Sequence, residues 1–76
     1  MNKARRKALQ EIADKAEELR EELETLKEEE EEYRDNIPEN LQGSERYEHA
    51  ENTCGSLDSA LDSLDEAVNS ILEAVE

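Results

Sequence analysis

Residues 36–44 read NIPENLQGS, and this stretch holds the chain's only proline and one of its two glycines. Pro38 has no amide hydrogen to donate and its ring disfavours helical geometry at Ile37, so a helix arriving from the N-terminal side ends near Asn36. Gly43 is placed to take the positive φ that turns the chain, and Ser44 then offers a hydroxyl to the free amides at the start of a second helix. Ile37 and Leu41 are the apolar residues of this segment, and both are expected to fold back and close the end of a core. A connector this short between two long helices demands an antiparallel hairpin.

The apolar residues on either side of the connector are periodic. Leu9, Ile12, Ala16, Leu19, Leu23, Leu26 and Tyr33 step by three and four, with Glu30 interrupting the line; this is the a/d stripe of a heptad and predicts a helix over residues 3–35. Glu30 falls at an a position, where it either reaches water near the hairpin tip or meets Arg34 or Arg46 of a neighbouring chain. Tyr47, Ala50, Cys54, Leu57, Leu61, Leu64, Val68, Ile71 and Val75 keep the same alternation without a break, which predicts a second helix over 45–75, with residues 36–44 as the loop. Gly55 costs that helix about 1 kcal/mol against alanine, and one continuous helix is still favoured. Ala60, Ala67 and Ala74 recur at seven on one flank of the stripe, widening the apolar face so that a further helix can approach. The predicted fold is all-α: a single domain over 1–76, an antiparallel helical hairpin that dimerises in coiled-coil fashion into a four-helix bundle.

A symmetric hairpin pairs Tyr33 with Tyr47, Leu23 with Leu57, Leu19 with Leu61, Ala16 with Leu64 and Leu9 with Ile71. Leu19 and Leu61 then lie in the middle of the core. Charge sorts the same way, because residues 1–20 hold six Lys and Arg against four acids whereas residues 57–76 hold six acids and no base. This sorting selects the antiparallel register more than it stabilises the fold.

Composition narrows the function. Of 76 residues, 23 are Asp or Glu and nine are Lys or Arg, for a net charge of -14, while 34% are hydrophobic and neither Trp nor Phe occurs. Such a chain holds one domain at most, cannot build a thick core without a partner chain, and is too small for a large enzyme. Its negative charge repels nucleic acid and anionic lipid, so basic proteins or copies of the same chain are the expected partners. No stretch approaches the roughly 20 apolar residues of a membrane span. The basic segment Asn2–Lys7 leads into a charged amphipathic pattern rather than a signal peptide's apolar run, which points to the cytoplasm. The lone Cys54 agrees with a reducing compartment and leaves no cysteine-rich zinc site.

Three runs carry a resemblance: RRKALQEI near the start, LKEEEEEYRDNIPENLQGSERYE in the centre and SLDSALDSLDEAVNSI in the tail. Together they resemble a group of short acidic helical proteins of Firmicutes bacteria and their phages and mobile elements. The central YRDNIPENLQGSERYE segment is the specific part, since heptad physics does not demand its order. The resemblance implies a phage or mobile-element setting and a small protein-binding or ligand-sequestering role, and it brings no catalytic residue with it.

Two groups of side chains are candidates for a site. Tyr33, Arg34, Asn40, Arg46, Tyr47 and His49 all lie near the connector and gather at one tip of a hairpin, where tyrosine rings and guanidinium groups can stack on a base or hold a phosphate. The competing reading makes the two tyrosines core caps and pairs the arginines with local acids. The second group is the acid run with Glu28, Glu31 and Glu32, either a solvated helix face or a surface that imitates a phosphate backbone in the basic groove of another protein. Glu45 and His49 are four apart but form no bundle metal site alone, and Cys54 sits at a core position without a histidine relay. The expected function is therefore non-catalytic and cofactor-free: docking on a basic host protein as an inhibitor or nucleic-acid mimic. The alternatives are an oligomer that sequesters a nucleotide-like ligand at the tip, or a structural oligomerisation module.

Overall fold

The computed structural model describes residues 1–76 as α1, Lys3–Asp35, and α2, Glu45–Val75, with a 3-10 turn at Glu39–Leu41 between them. Both helices have the predicted limits, and their ends show why. The Asn2 side chain accepts a hydrogen bond from the Arg5 amide at 2.7 Å, satisfying one of the free amides at the start of α1. At the other end the Asn36 amide donates to the Glu32 carbonyl at 3.0 Å, after which Pro38 cannot continue the ladder. Ser44 caps α2 as expected, its hydroxyl accepting from the Tyr47 amide at 3.3 Å. α2 runs unbroken through Gly55.

The reversal between the helices differs from expectation. No residue, Gly43 included, has a positive φ. Three i-to-i+3 bonds turn the chain in right-handed geometry instead: Leu41 N–H to Pro38 O, Gln42 N–H to Glu39 O and Ser44 N–H to Leu41 O, at 2.8, 3.3 and 3.0 Å. Ile37 folds into the core as expected and is 2% exposed, but Leu41 is 45% exposed, because the 3-10 turn carries it on the outside of the tip.

The hairpin is 59 Å long and only 15 by 13 Å across, so its core is a single seam between two helices. Ala13, Ile37, Ala50, Cys54, Leu61 and Val68 are the buried residues. The α2 stripe is as predicted, every member from Tyr47 to Val75 being buried or half-buried. The α1 stripe is not. Ile12, Leu19, Leu26 and Tyr33 stand 50%, 58%, 56% and 43% exposed, and the side facing α2 is Leu9, Ala13, Ala16, Arg20, Leu23, Lys27, Glu30 and Arg34, continued by Ile37. This line also alternates by fours and threes, and it shares Leu9, Ala16, Leu23 and Glu30 with the predicted stripe; α1 is turned about its axis by roughly 50°. The turn brings Arg20 and Lys27 to Asp65 and Asp58 of α2, and it lets small Ala13 admit close approach.

The register is also displaced. Arg20 meets Asp65 and Lys27 meets Asp58, and the Cys54 thiol feels the charges of Arg34, Glu31, Glu30 and Asp35. α2 thus lies about one helical turn further along than symmetric pairing places it. The reason is Ile37, which extends the seam beyond α1, so the chain reverses only after Pro38. The Leu19–Leu61 contact does not form: Leu61 is in the core at 4% exposure and Leu19 faces outward. At the tip, Tyr33 meets Arg46 rather than Tyr47.

Candidate functional site

The basic residues in the second half of α1, Arg20, Lys27 and Arg34, recur every seven positions and so share the row that faces the seam. Arg20 donates from Nε to Asp65 Oδ1 at 2.5 Å and from Nη1 to Glu24 Oε2 at 2.6 Å. Lys27 Nζ lies 2.7 Å from Asp58 Oδ1 and 3.9 Å from Glu31 Oε1. Arg34 Nε donates to Asp35 Oδ1 at 3.1 Å. In each case the hydrogen bond to a carboxylate, from Asp65, Asp58 and Asp35 respectively, holds the cation's pKa above its ordinary value.

From Glu18 to Glu32 the outer face of α1 is left without cations. Between Glu18 and Glu32 its exposed ionisable groups are all carboxylates, from Glu18, Glu21, Glu22, Glu28, Glu29 and Glu32, over about 21 Å of helix. A shallow hollow lined by Glu18, Leu19, Glu21, Glu22 and Thr25 lies on this face. Glu28 and Glu32 stand where the acid run places them. Glu31 does not: it is half-buried and turned towards Lys27. Glu29 belongs to the same run, and Glu18, Glu21 and Glu22 lie outside it in sequence but on the same helix face, opposite the row of Arg20, Lys27 and Arg34.

The tip is less of a site than its composition suggests. The Tyr33 hydroxyl accepts a hydrogen bond from Arg46 Nε at 2.7 Å, and the guanidinium carbon lies 5.2 Å from the ring centroid, so this ring and this cation satisfy each other. Tyr47 is half-buried and Arg34 faces the seam, close to Tyr47 and Cys54. Asn40 and His49 are exposed, and neither side chain is joined to the others by a hydrogen bond. The second hollow of the molecule, lined by Glu17, Arg20, Glu21, Asp65, Val68 and Asn69, lies along the seam far from the tip.

Cys54 is buried, and burial pushes its thiol pKa up, against the opposing pull of Arg34. No three His, Cys, Asp or Glu side chains converge to hold a metal ion, and no helix is long and apolar enough to cross a membrane. Comparison of the chain with protein-family models, with curated proteins and with solved structures finds no match in any of the three.

Proposed function

We propose that the protein is a small, acidic, non-catalytic binding protein of a phage or mobile element that works in the host cytoplasm by docking on a basic surface of a host protein. The observation that carries this reading is the inward turn of Arg20, Lys27 and Arg34, which leaves carboxylates as the only exposed charges on α1 from Glu18 to Glu32. A partner groove lined by Lys and Arg, built to follow a phosphate backbone, is complementary to a rod of carboxylates of this length. Electrostatic steering would speed such an encounter, and salt would weaken it. The chain supplies no cofactor or metal to this activity.

The test is paired capture from the host with wild-type chain and a Glu21→Gln, Glu28→Gln, Glu32→Gln variant. A basic protein retained by the wild type should be lost from the variant, and its affinity should fall steeply as salt is raised. Equal retention by both chains, or affinity indifferent to salt, would overturn the reading.

A further inference from the structure

α1 carries a heptad row that the hairpin does not cover. Ile12, Leu19, Leu26 and Tyr33 recur every seven residues and are about half exposed, between 43% and 58%. α2 carries a matching row of small residues, Thr53, Ala60, Ala67 and Ala74, bordered by Ser56, Ser63 and Ser70. No charged side chain interrupts these two small rows, in a protein of which 42% is charged.

Both faces lie on one side of the hairpin. The ion pairs Arg20–Asp65 and Lys27–Asp58 occupy one flank of the seam. Helical geometry puts the Ile12 row on the opposite flank of α1 and the Ala60 row on the opposite flank of α2. The register set by those ion pairs also makes the rows level, with Leu19 beside Ala67 and Leu26 beside Ala60.

Surface area says how much is uncovered. A folded monomer of 8.7 kDa presents about 4,700 Å² by the usual size scaling, whereas this hairpin presents 5742 Å². The surplus is about 1,000 Å² a chain, so two chains that buried it would bury about 2,000 Å², the size of a stable protein interface.

We infer that a second copy of this chain covers this face, about a two-fold axis running along the length of the hairpin. That symmetry lays the large row of each copy on the small row of the other: Leu19 on the partner's Ala67 and Leu26 on the partner's Ala60. Both tips lie at the same end. A two-fold across the length would set large on large and small on small, which packs less evenly. The chosen axis also lays the base-rich start of α1 over the acidic end of the partner's α2, six bases within residues 1–20 against six acids within residues 57–76. Glu21, Glu28 and Glu32 stay on the outside, so the acids substituted in the docking test lie clear of this interface, which covers Leu19 at the edge of the anionic face.

Sedimentation equilibrium of the full chain at tens of micromolar tests it without any host protein. The wild type should show twice the 8.7 kDa chain mass. Ala67 is exposed in the hairpin, so Ala67→Lys leaves the seam intact and should halve the mass while keeping the helical signal. Asn69→Lys, the same charge change on the other flank of α2, should leave the mass unchanged. Spin labels at Asn40→Cys in a Cys54→Ala background should lie within about 30 Å of each other across the two-fold, given helix spacings of 8–10 Å. A wild-type mass of 8.7 kDa, equal dissociation by the two lysine variants, or label separations near the 59 Å hairpin length would each overturn the proposal.

Discussion

Cys54 shows how far a single residue can be read from its place in a repeat. Its position in the α2 stripe marks it as a small core residue, and the thiol is 5% exposed. Burial favours the neutral thiol, so its pKa is raised on folding, and a raised pKa lends stability that is complete below the unfolded value and is lost as pH rises through the folded one. The ordinary thiol value is about 8.5, and lysine reaches its titration midpoint well above that, near 10.4. The thermal midpoint of the wild type should therefore fall between about pH 8 and 9.5, and that of Cys54→Ala should fall less. Parallel decline of the two would show that the thiol is not excluded from water. Ile37 and Leu41 mark the limit of such reading: both are apolar loop residues, but only Ile37 extends the line of Arg34 and Glu30 on the seam. Leu41 lies beyond Pro38, where the 3-10 turn rather than the heptad decides the direction of a side chain.

At the scale of the element, α2 was legible almost entirely, because its stripe is apolar throughout and no charged residue falls within it. α1 was legible in extent but not in orientation. It carries two lines of alternating threes and fours that share Leu9, Ala16, Leu23 and Glu30, and hydrophobicity favours the one through Ile12, Leu19 and Leu26. The line that faces α2 contains Arg20, Lys27 and Arg34, which look like surface residues until their spacing of seven is set against that of Asp58 and Asp65. The candidate site inherits the same error, since the outer face of α1 is defined only once its inner face is known. Glu28 and Glu32 lie on that outer face, whereas Glu31 turns in towards Lys27. Gly55 offers a direct check on α2. It lies within the helix, and a Cβ built there meets nothing within 4 Å, so Gly55→Ala should stabilise the protein by about 1 kcal/mol. That corresponds to roughly 4–8 °C in midpoint for a chain of this size. An unchanged or lowered stability in a denaturant titration would mean that α2 bends at this residue.

For the molecule as a whole, the scarcity of aromatic residues and the small size imply that one chain alone leaves much of its apolar surface wet. Six of 76 residues are buried, and the large residues Ile12, Leu19 and Leu26 contribute nothing to the seam they were expected to fill. The net charge of -14 is distributed so that Arg20 and Lys27 of α1 pair with Asp65 and Asp58 of α2, leaving the other flank of the seam free of charge on α2. On the two proposals above, an apolar face for self-association would lie beside an anionic face for partner docking on one rod. If a second copy completes the fold, stability depends on chain concentration by mass action. The deciding measurement is the thermal midpoint of the wild-type chain between about 1 and 100 µM, alongside Ala67→Lys. The wild-type midpoint should rise by several degrees across that range while the variant stays flat at a lower value, and a wild-type midpoint that does not move with concentration would contradict self-association through the Ile12, Leu19 and Leu26 face.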